Sequence, residues 1–322
     1  MLRHLPSLLT ALGLCLMAFW LGFFAFLPPV VAPTDTAYLP ESEQREAPDR
    51  IATLTVVGDI MLARDVETAI AAQGIDWPYE EVKDLWADSD LVVGNFESTI
   101  RDAYRYEGEV LAFDVIPAYV QGLVNAGFTH LSLANNHGDD FGSAVTDSTR
   151  GVIADLGITP FGDPLESELH IAHADAGGTS FAFVGFHAFI EDPDVVASAI
   201  AREDEQGYFV IVMPHWGNEY QTTPSIAQVE AAQMFIDAGA DLIIGAHPHV
   251  IQPIEVVDGV PVAYSLGNFV FDQDWSVPTQ QGLLLTVTVT DAAITVMPTA
   301  IHVDRQATPG DFPVQAALTV IR

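Results

Sequence analysis

Between residues 51 and 250 one event recurs five times: a short apolar run ends, and a residue able to bind a metal stands at or just past its end. Ile51–Ile60 (IATLTVVGDI) breaks at Gly58-Asp59, and Asp90–Val93 runs into Gly94-Asn95-Phe96-Glu97. Thr129–Leu133 runs into Ala134-Asn135-Asn136-His137, Tyr208–Met213 into His215-Trp216-Gly217, and Asp241–Ile244 into Gly245-Ala246-His247-Pro248-His249. Runs of this length and composition read as buried strands. The stretches between them carry helix signals: Val66–Ala72, Tyr79–Trp86, Ile116–Ala126 stopped by Gly127, Ala144–Leu156 stopped by Gly157, and Ile226–Ala238 stopped by Gly239. A further strand, Phe181–Gly185, leads to His187. From Ile254 the pattern turns to hairpins, with a turn at Asp258-Gly259 and strands at Val262–Leu266 and Leu283–Val289. The alternation predicts an α/β fold, in which loops at the carboxyl ends of strands converge on one crevice. Residues spread from 59 to 249 can therefore meet.

Composition narrows what such a crevice serves. The 322 residues are 49% hydrophobic and 17% charged, which excludes a disordered chain. No internal repeat and no second linker appears, so one globular domain is the simplest organisation. The net charge of −33, with Lys83 the only lysine, excludes a general nucleic-acid binder, which needs a basic face for the phosphates. Cys15 is the only cysteine, which excludes an intrachain disulfide framework or zinc ribbon. An acidic, lysine-poor surface suits high ionic strength, where self-repulsion is screened; the alternative is that the carboxylates recruit cations or a cationic partner.

The N-terminus reads as a membrane element. No charged residue occurs from Leu5 to Thr34, and Leu8 to Val31 exceeds the roughly 20 apolar residues a spanning helix needs. Arg3 and the chain amine place the start in the cytoplasm and the remainder outside. The expected organisation is an uncleaved anchor over 1–32, a Pro- and Glu-rich tether over 33–50, a globular domain over 51–305 and a C-terminal tail over 306–322. That makes a single-pass cell-membrane protein with an extracytoplasmic domain. A cleaved signal peptide is the competing reading.

Carboxylate, amide oxygen and imidazole are the donors that divalent zinc, manganese or iron accepts. The candidate ligands are Asp59, Asn95, Glu97, Asn136, His215, His247 and His249. Each alone has a plainer explanation: Gly-Asp as a turn, Asn-Asn as a helix cap, a lone histidine as a surface residue. Their joint placement at strand ends is the signal. His247-Pro248-His249 is the most specific piece, since residues i and i+2 of a regular strand share a face.

The segments VGDIML, GNFE, LANNHGDDFG, PHWGNEY, IDAGADLIIGAHPHVIQPIE and YSLGNFVFD occur in this order over about 51–275. Together they resemble the poly-gamma-glutamate capsule synthesis family CapA, a branch of the calcineurin-like metallophosphoesterases. The resemblance implies a four-layer αββα sandwich of metallophosphatase type, with metal-binding loops along one edge. It implies a role in making or exporting an anionic cell-surface polymer, with other capsule-synthesis membrane proteins as partners and one or two divalent ions (manganese, zinc or iron) as cofactor. By that pattern Asp59 and His249 hold a first metal, Asn136, His215 and His247 hold a second, and His137 protonates the leaving group. Two positions depart from it: Met61 stands where the family's superfamily has histidine, and Asn95 where it has a bridging aspartate. Glu97 is positioned to take over from Asn95, and the first-metal site is the weaker. Asp140 either orients His137 or caps the helix beginning near Phe141. Trp216 and Glu219 read as substrate-side residues, with core packing the alternative for Trp216; Asn268 either contacts the site or serves a turn. His130, His170, His173 and His302 have no motif around them. Two functions stay open: a metal-dependent hydrolase acting on a phosphoester or an anionic polymer, and a non-catalytic component that binds or guides the polymer. A secreted phosphoesterase is a further alternative.

Overall fold

Side-chain alternation decides which layer each strand faces. Along Phe209–His215 every residue is buried; Phe209, Ile211 and Met213 enter one core and Val210 and Val212 another. A strand buried on both faces lies between two covering layers. The computed structural model describes residues 50–101, 112–165 and 169–322. The expected anchor and nearly all of the tether lie outside the described residues, among which no helix is long and apolar enough to cross a membrane. Residues Pro48–Arg322 form one compact unit.

Two large sheets, a two-stranded pair and five α-helices organise the described residues. The first sheet runs in the order β16 (Gln306–Pro309), β15 (Ala293–Asp304), β14 (Gln281–Thr290), β1 (Arg50–Ile60), β2 (Leu91–Phe96), β5 (His130–Ser132) and β6 (Thr159–Phe161). In it β13 (Asn268–Val270) lies beside β1, and β17 (Leu318–Ile321) beside β15. The second sheet runs β11 (Ile254–Val257), β12 (Val260–Ala263), β10 (Leu242–Ile244), β9 (Phe209–His215), β8 (Thr179–His187) and β7 (Ala172–Ala176). Two short strands, β3 (Thr99–Ile100) and β4 (Asp114–Val115), pair separately. The helices are α1 (Arg64–Gln73), α2 (Pro117–Asn125), α3 (Ser143–Asp155), α4 (Pro193–Glu205) and α5 (Ile226–Asp237).

Three apolar cores hold these elements. Leu54, Val93, Phe183, Ile211, Ile244 and Leu285 pack between the facing sheets. Val66, Val120 and Ile153, from α1 to α3, cover the outer face of the first sheet with Phe96 and Leu131. Val196 and Ile200 of α4 and Ala232 and Phe235 of α5 cover the second sheet. Strands β1, β2, β5 and β6 are mutually parallel, as are β8, β9, β10 and β12, so both sheets deliver a set of carboxyl ends.

Several elements differ from the sequence reading. Tyr79–Trp86 is not one helix: one short 3-10 turn, Trp77–Tyr79, ends at its first residue and a second, Lys83–Trp86, closes it. Helix α4, capped by Asp192, lies outside the elements read from the sequence. Residues 306–322, set apart as a tail, carry β16 and β17, both paired with β15. The Asp258-Gly259 turn is as read, with positive φ at both residues (46° and 88°), the geometry of a type I′ hairpin.

Candidate metal centre

Register brings the polar residues level. Asp59 pairs with Asn95 of β2 on one side and with Asn268 of β13 on the other, at the carboxyl end of β1. Gly58 makes this crossing possible, since a Cβ there would lie 1.9 Å from the Gly267 carbonyl oxygen. In the second sheet His187 is level with His215, and His215 bridges to Ala246. The next residues, His247 to His249, form a turn rather than a continuing strand. His247 and His249 both sit in the left-handed region (φ 95° and 56°), which is costly for residues with a Cβ and typical of functional sites. The expected strand geometry of His247-Pro248-His249 is therefore wrong in mechanism, yet the turn delivers both rings to the site, 5.9 Å apart. Gly245 lets the chain through, because a Cβ there would meet the Tyr264 carbonyl oxygen at 2.1 Å.

The side chains from the two sheets interlock. Asn95 Nδ2 donates to Asp59 Oδ1 at 2.8 Å and faces His215 Nδ1 at 3.3 Å. His215 Nε2 lies 2.6 Å from Asn136 Oδ1 and 3.0 Å from His247 Nδ1. His249 Nδ1 donates to Asn268 Oδ1 at 2.9 Å and to Asp59 Oδ2 at 3.2 Å, which leaves Nε2 facing Glu97 Oε1 at 3.8 Å. A ring whose Nδ1–H is held by oxygen partners is the usual arrangement of a ligating imidazole. His137 stacks on Phe113 (centroids 3.8 Å apart) and pairs through Nδ1 with Asp140 Oδ2 at 2.9 Å. Its Nε2 lies 3.8 Å from Glu97 Oε1.

Glu97 is the diagnostic residue. Its carboxylate is fully buried, and among the described residues neither oxygen has a hydrogen-bond partner. Burial drives its pKa well above the usual carboxylate range, against the pull of His249. The surrounding imidazoles split by environment. Burial and the neighbouring His247 hold His215 far below the ordinary histidine value, and burial with His249 takes His247 to about 3. Burial works on His249 in the same direction, but Glu97 and Asp59 overcome it and lift the ring to about 9. Protonated His249 thus supplies, between two carboxylates, the positive charge a cation would bring. Asp59, Glu97 and His249 form one group whose ligand atoms all lie within 4.8 Å of one another, and Glu219, His247 and His249 form another. A buried carboxylate with no hydrogen-bond partner among the described residues, beside the neutral imidazoles of His215 and His247 and a His249 whose proton a cation would displace, fits a divalent ion.

The expected residues fall into three groups. Asp59, Asn95, Glu97, Asn136, His215, His247 and His249 are brought together, with His137 and Asp140 beside them. Asp140 does not cap a helix: α3 starts after Gly142 without a side-chain cap, while Asp140 also accepts the Phe113 N–H at 2.6 Å. Asn268 is a strand residue that holds His249 rather than a turn residue, and exposed Glu219 stands at the rim. Trp216 is corrected. It is buried in the outer core of the second sheet with Nε1 donating to the Tyr264 carbonyl, so it packs rather than lining the substrate side. Met61 is buried in the helix-side core, its sulfur taking the Ala63 N–H at 3.0 Å. His187, at the end of β8, also reaches this edge; Asn135 of the Asn-Asn-His run accepts from the His137 N–H, and Phe113, which stacks on His137, carries no sequence signal.

The profile of the family described as "Bacterial capsule synthesis protein PGA_cap" matches residues 53–273, the span that contains every residue of this network. The chain is 34% identical over 248 residues to the "PGA biosynthesis protein CapA" of Bacillus subtilis (strain 168), covering 71% of this chain and 65% of that one. It is 35% identical over 249 residues to the "Capsule biosynthesis protein CapA" of Bacillus anthracis, covering 70% and 61%. A "probable polyglutamine synthesis accessory protein" of Mycobacterium tuberculosis (strain ATCC 25618 / H37Rv) is 27% identical over 229 residues, covering 62% and 60%. The chain thus spans less than two thirds of the length of these relatives. With the profile covering more than half of its residues, the chain belongs to the bacterial capsule synthesis family PGA_cap.

Proposed function

We propose that this chain is a membrane-anchored, outward-facing component in the synthesis or export of an anionic capsule polymer of the poly-gamma-glutamate type. It acts through a divalent-metal, hydrolase-like site on a four-layer αββα framework of metallophosphatase type. The observation that carries the reading is Glu97, a fully buried carboxylate with no hydrogen-bond partner among the described residues, set against Asp59 and His249. The names of the Bacillus relatives support the polymer, and the uncharged stretch from Leu5 to Thr34 supports the anchor.

In this reading Asp59, Glu97 and His249 hold one ion, and Asn136, His215 and His247 form the adjoining donor set. A bound divalent ion supplies Lewis acidity that stabilises charge developing on a phosphoryl or acyl oxygen. The chain's own residues do the rest. Asn268 and Asp59 fix the tautomer of His249. Asp140 and the Phe113 ring fix His137, whose Nε2 is left to deliver a proton to the leaving group. The net charge of −33 repels a polyanion, so productive encounter requires bridging cations or high ionic strength.

A second reading, a non-catalytic polymer guide, is favoured by Met61 in the core and the neutral Asn95 beside Asp59, both of which weaken one of two metal positions. One experiment separates them: metal content of the purified chain, hydrolysis of an aryl phosphate, and binding of poly-gamma-glutamate. Turnover lost in both His137→Ala and His247→Ala supports the hydrolase. Polymer binding with no turnover in the metal-loaded protein supports the guide.

A further inference from the structure

Two carboxylates approach His249 from different parts of the chain. Glu97 is buried and lies just past the end of β2, while Glu219 is exposed and lies on the loop that follows β9. The course of that loop is fixed. Trp216 turns into the outer core, and Gly217, at φ 88°, packs so closely on Gln228 that a Cβ would meet its Oε1 at 2.4 Å. Tyr220 then fastens the loop to the turn that carries His247 and His249, its N–H donating to the Pro248 carbonyl at 2.8 Å. The Tyr220 hydroxyl donates to the Glu219 carboxylate and accepts from Gln273 Nε2 at 3.3 Å. A carboxylate that accepts one such bond keeps lone pairs for a cation, and ligating carboxylates are commonly held this way.

The ligand atoms of Glu219, His247 and His249 all lie within 4.8 Å of one another. Two ligands across one ion, with bonds of about 2.1 Å, stand about 4.2 Å apart, so small side-chain movements close the set. Glu97 reaches elsewhere. Its group joins Asp59 and His249, and among the described residues no group joins it to His247. His249 belongs to the donors around Asp59, whereas His247 belongs with Asn136 and His215, its Nδ1 lying 3.0 Å from His215 Nε2. Glu219 thus stands against one imidazole from each set. Asn95 also spans the two sets, between Asp59 Oδ1 and His215 Nδ1, but it is neutral and presents the donor Nδ2 to both. That a cation belongs here is indicated independently by Glu97, fully buried with neither oxygen hydrogen-bonded among the described residues.

We propose that Glu219 is a metal ligand on the solvent side of the centre, the anion that links its two donor sets where Asn95 is neutral. The proposal rests on the reading of the centre given above and alters it in one respect: Glu97, expected to take over from Asn95, serves the Asp59 set alone. Charge favours the assignment. A carboxylate between two cation positions offsets their mutual repulsion, which an uncharged amide does not, and ligand charge sets the affinity of an oxygen-rich site.

The test titrates Mn²⁺ into the full-length chain and reads its affinity by calorimetry. Glu219→Gln keeps the shape and removes the charge. Glu205→Gln, at the exposed last residue of α4, removes the same charge away from the centre. Affinity should fall about tenfold in Glu219→Gln and stay within about twofold in Glu205→Gln. The double-mutant cycle with Asn95→Asp tests the linking role. Once an aspartate supplies the link from the buried side, Glu219→Gln should cost about threefold or less. The metal-free melting temperature should be the same in wild type and Glu219→Gln, since the side chain is exposed; a fall there, with Mn²⁺ affinity unchanged, marks a structural residue and overturns the proposal. Wild-type affinity in Glu219→Gln overturns it too, as does a loss of equal size in Glu219→Gln and Glu205→Gln. A loss that is the same with and without Asn95→Asp overturns the link. A wild type that takes up no Mn²⁺ overturns the metal centre itself, and this assignment with it.

Discussion

Replacing Glu97 by glutamine separates a buried carboxylate that waits for a cation from one that merely fills space. The side chain is fully buried with both oxygens unpartnered among the described residues, 3.8 Å from the Nε2 atoms of His137 and His249. Burying an unsatisfied polar group costs about 1–3 kcal/mol, and more when it is charged. In metal-free protein Glu97→Gln replaces a carboxyl whose ionised form burial disfavours with a neutral amide, and should raise the melting temperature slightly. Metal reverses the advantage. With Mn²⁺ at about 1,000 times the dissociation constant, the wild type gains about 4 kcal/mol by mass action. A hundredfold weaker site in the variant leaves about 1.4 kcal/mol, so its metal-induced rise is cut by more than half. Differential scanning calorimetry with chelator and with Mn²⁺ reads both arms. A variant that melts below the wild type without metal, and rises just as far with it, refutes the reasoning.

Asn95→Asp restores an anion between Asp59 and His215, so metal bound per chain should rise towards two; an unchanged stoichiometry by elemental analysis argues against Asn95 as the limit on the second position. His130 is buried between the sheets' edges against Phe183, and burial lowers its pKa to about 4. Because the folded value lies below the unfolded one, its contribution is whole above about pH 6.5 and lost as pH falls towards 4, amounting to about 2–3 kcal/mol. His130→Phe should accordingly flatten the acid limb of the stability curve without touching metal content. Gly245→Ala drives a methyl into the Tyr264 carbonyl and the Trp216 ring, and should cost more than about 3 kcal/mol, read as loss of the cooperative thermal transition.

The parallel strands were legible because their interiors are unbroken apolar runs that stop at glycine or a polar residue, as at Gly58-Asp59 and Gly94-Asn95. Helix α4 was not read, although Asp192-Pro193 is a helix-start signal and Pro193–Glu205 buries Val196, Ala199, Ile200 and Glu203. The paired ends β16 and β17 are short, and their place depends on the long hairpin of β14 and β15. At the site, residue types and strand-end spacing pointed to the ligand set, but not to side-chain direction. Trp216 follows His215 by one position and so faces the opposite core. His247 and His249 reach the site through a left-handed turn that no alternation pattern encodes. The Asp140–His137 pair depends on a loop whose shape is set by Asn135 and Phe113.

The central claim is that the carboxyl ends of two facing sheets build one pocket for a divalent ion. Anomalous diffraction from crystals grown with Mn²⁺, recorded at the manganese edge, tests it most directly. The account predicts a peak about 2.0–2.3 Å from a Glu97 oxygen and His249 Nε2, distances set by metal–ligand bonding. No peak there under saturating Mn²⁺, with Glu97 bonded to water or to His249 alone, would contradict it.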